Sequence, residues 1–336
     1  MKTYIKILPF LILVSSIFGQ YRDIPSVVTK VATSAANWLK LESGVRGIGM
    51  GGSQAASGLG VSAIPYNPAS LAFIGDGQEI YYSKVNYLAG ITHNTLGYGR
   101  QLTYSDYFGL HLFYLDSGPI GVTTIEEPDG TGEDYHVTNL ALRLVYARML
   151  TDRLRIGGAI KYIREDIYTM YMQSFLFDIG SNFDTGIFGI TLGMSVSNFG
   201  PDVQFQGQGL EIQVPDTIDV DGVVKRRTQK FPVPLIFRLG LKKDVLGIGG
   251  LGEEHRLTVS VDGIDPIDYV LNFSLGVEYS WRDMLYARGG THLLHDTAGS
   301  SIGGGLKWRM IMVDYAFVSY GILNSTHQFG ISLEIQ

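Results

Sequence analysis

The sequence predicts an all-β fold, a transmembrane outer-membrane β-barrel of about 14 antiparallel strands with an N-terminal plug or hatch segment. Three observations predict it. From residue 78 onward apolar side chains recur at every second position. The alternating runs are roughly 10–13 residues long, where soluble strands run about 5–6 and membrane strands need about 9–11. Tight turns such as 150–153, 184–186 and 281–283 alternate with long polar connections at 116–136, 199–233 and 293–300, as in barrels with short inner turns and long outer loops.

Composition narrows the class further. Among 336 residues there are 43 Gly, 20 Tyr and 16 Phe, while Asp, Glu, Lys and Arg make up only 17%. A soluble enzyme carries about 25% charged residues. The net charge of −6 argues against a nucleic-acid partner, and the absence of cysteine excludes disulfides, thiol chemistry and cysteine-ligated zinc.

At the N-terminus, Lys2 and Lys6 precede an apolar run from Ile7 to Val14 and then small residues. This order reads as a secretory signal peptide over 1–19, cut after Gly19. No later run reaches the roughly 18–20 apolar residues of a membrane helix, so membrane contact must come through strands. Residues 20–77 do not alternate. Val27, Val31, Ala35, Trp38 and Leu39 predict a short helix over 26–41, followed by a glycine-rich stretch over 44–73. That stretch contains Gly47, Gly49 and Gly52 in a Gly-x-Gly-x-x-Gly spacing. A dinucleotide site would need a strand before it and a helix after it within a βαβ unit, and neither pattern is present. The expectation is mechanical: small residues let the segment 20–77 fold into the lumen and approach the wall closely, with Pro65 and Pro68 stiffening the turn at Asn67.

Residues 78–336 then form the barrel, with strands expected to start near 78, 92, 105, 137, 153, 171, 187, 234, 255, 269, 285, 300, 311 and 326. The clearest has Tyr269, Leu271, Phe273, Leu275, Val277, Tyr279 and Trp281 on one face, aromatic at both ends like a lipid-facing strand. Phe188 and Leu235 open two other apolar rows. Because a Lys or Arg on the lipid face costs about 2–4 kcal/mol at the midplane, the strand charges belong inside. On this register Arg143, Arg155, Lys161, Asp178, Arg238, Lys242, Asp262, Glu278, Arg288, Lys307 and Asp314 face the lumen, with signs mixed for ion pairing.

The stretch from Ser34 to Phe73 resembles the N-terminal signature of the PorV/PorQ family, related to the FadL outer-membrane transporters. The residues that carry the resemblance are the Trp38-Leu39-Lys40-Leu41 segment, then Gly44, Arg46, Met50, Gly51 and Gly52, and finally Asn67, Pro68 and Ala69. Residues 303–333 are similar to that family's closing strands. The resemblance implies a plug motif at Gly47, Gly49, Met50, Gly51, Gly52, Asn67, Pro68 and Ala69. It also implies an accessory of type IX secretion, with translocon components and cargo C-terminal domains as partners. The alternative is a FadL-like passive transporter, with hydrophobic small molecules or detergent in the lumen. Outer-membrane lipid is the partner expected of the wall, and the outer membrane is the expected location.

Other constellations point to turns and solvated loops. Gly299, Ser301 and Gly303 form a Gly-x-Ser-x-Gly, but at the start of a strand rather than a strand-to-helix elbow. His292, His295 and Asp296 lack a third histidine. Neither the acidic run 126–134 nor Asp262, Asp265 and Asp268 has EF-hand spacing. The reading is non-enzymatic, without cofactor or metal.

Overall fold

The computed structural model describes residues 33–213, 223–247, 254–295 and 298–335. The signal peptide expected over 1–19, residues 20–32 of the expected plug segment and Asp296 lie outside the described residues. Fourteen wall strands, numbered here in chain order, form one closed meander. They are β1 (Gln78–Asn86), β2 (Thr92–Gln101), β3 (Asp106–Asp116), β4 (Val137–Thr151), β5 (Leu154–Ile167), β6 (Met170–Asp184), β7 (Ile190–Phe199), β8 (Ile236–Leu246), β9 (His255–Pro266), β10 (Asn272–Trp281), β11 (Leu285–Leu293), β12 (Ser300–Trp308), β13 (Ile311–Ser319) and β14 (Ser325–Ile335). Each pairs antiparallel with its neighbours. β14 closes on β1 in an unbroken register from Ile335↔Gln78 to His327↔Asn86. The strands run from 9 to 15 residues.

Closure and alternation together set the two faces. Leu142, Leu144, Ile160, Phe175, Ile179 and Leu239 all point outward and stay exposed. So broad a ring of exposed apolar side chains requires an apolar surrounding, which here is lipid. Inward positions on the same strands carry Arg143, Lys161, Asp178, Asp262, Glu278 and Asp314, all buried.

Three expectations need correction. Of the helix predicted over 26–41, the described part is only a 3-10 turn at Asn37–Lys40. Glycine-rich chain follows directly, and the segment is held by the wall rather than by its own helical bonds. Tyr269 and Leu271 do not belong to β10. The chain turns after Pro266, where Tyr269 N–H donates to the Pro266 carbonyl at 3.2 Å, and the strand begins only at Asn272. Phe188 and Leu235 likewise precede their strands. Phe188 sits in a turn at φ 54°, which a strand cannot hold.

The register predicts that Ile160→Arg, at the middle of β5, destabilises the barrel by about 2–4 kcal/mol. Urea titration of folding into lipid vesicles measures it. A neutral result would place that face away from lipid.

Candidate functional site

The lumen is occupied by residues 33–77, which cross it in short turns. These include one α-turn at Val45–Gly49 and 3-10 turns at Val61–Ala63 and Pro68–Phe73. Asn67 organises the last of them. Its Oδ1 accepts from Ala69 N–H at 3.0 Å, capping the turn that Pro68 begins. Its Nδ2 donates to the Ala55 carbonyl at 2.7 Å and across to the Ser181 carbonyl of β6 at 3.0 Å. Ala69 and Met50 are fully buried.

The glycines of the motif serve contact rather than phosphate binding. Gly51 N–H donates to the Ile48 carbonyl and to Ser301 Oγ of β12, and Gly52 N–H donates to the Gly47 carbonyl. Gly51 and Gly52 have φ of +61° and +77°, a turn that glycine makes without strain. A Cβ on Gly47 would lie 2.8 Å from Gln54, and one on Gly49 would lie 3.2 Å from Gly303 Cα of β12.

The wall answers with glycines of its own, which the sequence reading did not single out. A Cβ on Gly157, Gly180, Gly193, Gly276 or Gly290 would come within 2.0–2.5 Å of residues 50–68. These residues share the inward parity of their strands, and that parity was the available signal. Backbone therefore lies directly on backbone around much of the barrel.

The predicted lumen charges fall into two buried networks and several separate sites. In the first, Arg46 of the lumen segment donates Nε and Nη2 to Glu278 at 2.9 and 2.8 Å. Arg288 Nε donates to the same carboxylate at 2.6 Å, and its Nη1 donates to Asp314. In the second, Lys161 donates to Asp178 at 2.8 Å, Arg143 Nε stands 3.6 Å from Asp178, and Arg143 contacts His111 at 3.2 Å. Asp262 accepts Ala55 N–H at 2.7 Å. The Arg155 guanidinium lies 4.3 Å from the Phe73 ring centroid. Lys242 stands 3.7 Å from Asp244, and Lys307 pairs with Glu334 at the short-turn end, where both are partly exposed. Arg238 has no carboxylate within ion-pair distance among the described residues. Asp262, Asp265 and Asp268 do not converge: Asp262 faces inward, Asp265 is exposed, and Asp268 binds Ser34 and Lys40. His292 lies in β11 rather than in a loop, and no three potential ligands gather as a metal site among the described residues.

Above the lumen segment, toward the long connections, a cavity of about 390 Å³ remains. Leu41, Glu42 and Ile48 contribute from below; Ile236, Arg238 and Ile264 line its side, with Tyr87, Tyr269 and Tyr320 on the loops. Burial pushes the Glu42 carboxyl up, while His292 and Arg238 pull it back. The Glu42 and His292 side chains approach to 3.8 Å.

Among the described residues, the wall is interrupted at one seam. β6 and β7 pair from Asp184↔Thr191 to Phe177↔Phe199, with a bulge near Asn198 at φ 66°. Pairing on that edge resumes only at Tyr171↔Gln206, leaving 172–176 without a ladder partner there. Trp38, Phe113, Met172, Leu176 and Val203 form an apolar cluster inside the seam, and Leu41 joins it to the cavity. Phe175, Phe177 and Phe199 are exposed outside it.

In fold, this closed fourteen-strand barrel resembles the FadL-like outer-membrane barrels. No family model matches the chain, and no curated protein sequence matches it. Solved structures do. The toluene transporter TodX of Pseudomonas putida aligns at TM-score 0.56 and 14% identity, over 87% of this chain and 96% of that one. The toluene transporter TbuX of Ralstonia pickettii aligns at 0.54 and 14%, over 88% and 100%. A FadL homologue from Pseudomonas aeruginosa aligns at 0.52 and 12%, over 88% and 99%. At these identities the likeness is one of fold.

Two outcomes follow from the packing. Gly193→Val, whose Cβ would meet the Ala55 carbonyl at 2.0 Å, prevents the lumen segment from seating. The expected result is loss of the compact, heat-modifiable band on cold gel electrophoresis. Arg46→Ala leaves the Glu278–Arg288–Asp314 chain with excess negative charge and costs about 3–5 kcal/mol in the same urea titration. A change under about 1 kcal/mol would mean that solvent already screens the network.

Proposed function

We propose that this protein is a passive outer-membrane channel for small hydrophobic molecules. The observation that carries the reading is the continuity from the cavity above the lumen segment, here called the vestibule, through Leu41 and the Trp38–Phe113–Leu176 cluster, to the unpaired edge of β6. A solute entering at the long-loop end meets a cavity of mixed lining and then, past Leu41, an apolar path to the place where the wall is least bonded. The structural neighbours described as toluene transporters support the same direction. The lumen segment is bonded to the wall at many points, so passage by its wholesale ejection is disfavoured, and a local shift near Trp38 suffices.

The secretion-accessory reading rests on the N-terminal signature over 34–73. Neither the neighbours nor the cavity adds to it. Recovery of translocon components or cargo C-terminal domains in a detergent pull-down would restore it as the leading account.

Uptake of radiolabelled toluene by Gram-negative cells tests the channel, because their lipopolysaccharide leaflet slows apolar entry. Cells carrying the protein are expected to accumulate toluene several-fold faster than cells carrying empty vector. Leu176→Trp, which fills the seam from inside, is expected to remove most of the gain. Equal rates with and without folded protein would sink the proposal.

A further inference from the structure

The vestibule is not lined for a bare hydrocarbon. Arg238 of β8 projects into it, and two of its nitrogens, Nε and Nη1, are buried without a hydrogen-bond acceptor. Carboxylates such as Glu42 and Asp262 act on it only from beyond ion-pair distance, and no described neighbour accepts from those two nitrogens. The Tyr66 ring lies 5.9 Å from the guanidinium, but the Tyr66 hydroxyl is itself buried and unpartnered. Glu42 faces the same cavity beyond ion-pair distance; burial pushes its carboxyl up, while His292 and Arg238 pull it back. A buried guanidinium with unmet donors is unfavourable, because its nitrogens have given up water without a replacement. The other lumen arginines that bind charge do so through named carboxylates: Arg46 and Arg288 on Glu278, Arg143 on Asp178. Among the described residues, Arg238 is the cavity-lining cation without a carboxylate at ion-pair distance.

Part of the cavity lining is suited to a flat apolar body, among polar residues such as Asn37, His93 and Asn272. Ile48, Ile236 and Ile264 present aliphatic surface beside Arg238, and Tyr269 and Tyr320 supply aromatic surface above. At about 390 Å³ the space stands near the small end of ligand pockets, which run about 300–1,000 Å³. That admits one ring with a substituent.

We propose that the vestibule binds a single-ring aromatic carboxylate, with the carboxylate on Arg238 and the ring between the isoleucines and tyrosines. This deepens the channel reading and rests on it for its meaning, since the site would select which hydrophobic molecules enter. A carboxylate supplies the acceptors that Arg238 lacks, and charge-assisted bonds of this kind are the strong ones. A molecule such as toluene fills the same volume but leaves Arg238 unsatisfied.

The test is isothermal titration of the purified full-length protein in a neutral maltoside detergent, with benzoate and toluene as probes. Benzoate is expected to bind about 10-fold or more tightly than toluene, the scale of one hydrogen bond to a charged group. Arg238→Met is expected to bring the ratio toward one, and Arg238→Lys to restore part of it. Ile264→Trp, which fills the cavity from the position paired with Arg238 while leaving the guanidinium in place, is expected to abolish benzoate binding. Each variant is first checked for the heat-modifiable folded form. Benzoate binding that is absent, no tighter than that of toluene, or unchanged in Arg238→Met would overturn the site and leave water as its occupant. The uptake assay separates the two readings. Toluene uptake without benzoate binding rejects the site and keeps the channel. Benzoate binding without accelerated toluene uptake keeps the site and rejects the channel.

Discussion

A peptide N–H in hydrocarbon has no water to bond, so every strand edge must find another strand. In this chain that requirement is met by joining β14 to β1 over nine register pairs, and the remaining architecture follows from it. A closed wall of fourteen strands encloses more space than its own side chains fill. The space must then be occupied, and what occupies it is the piece of chain that precedes the first strand. The interruption between β6 and β7 stands out for the same reason. It is where ladder bonding lapses within an otherwise continuous wall, and apolar side chains shield it on both faces.

How the lumen is filled decides what can pass. Wall glycines let residues 50–68 lie against the strands at backbone distance, and Asn67, Arg46 and Asp262 fasten the two together. Such contacts form or break together, so the segment acts as part of the wall. The buried ion networks contribute placement more than net stability, because desolvation offsets most of the Coulomb attraction of a buried pair. The space that remains lies above this layer and beside the seam. Its lining mixes aliphatic, tyrosine and unpaired cationic groups, which differs from a plain apolar conduit.

Much of this was legible in the amino-acid order. Starts predicted near 78, 92, 137, 255, 285, 300 and 311 coincide with observed strand starts, because a period of two over nine or more residues has one structural reading. Where the reading slipped, local chemistry intervened. Phe188 continues the apolar row of β7 in sequence, yet its backbone sits in a left-handed turn. Tyr269 continues the row of β10, yet the turn after Pro266 places it in the vestibule. The inward parity of the eleven charges could be read from alternation, but their pairing could not. Glu278 meets Arg46 across a separation of 232 residues.

By itself, then, the sequence determined the barrel, its strand number, which face meets lipid and that residues before 78 stand apart, since each depends only on local period and composition. Tertiary structure decided the rest: which wall glycines receive the lumen segment, which charges neutralise one another, where the ladder lapses, and that Arg238 faces a cavity without a partner. Those are relations between strands far apart in the chain. Their geometry is set by closure of the cylinder, which no local pattern encodes.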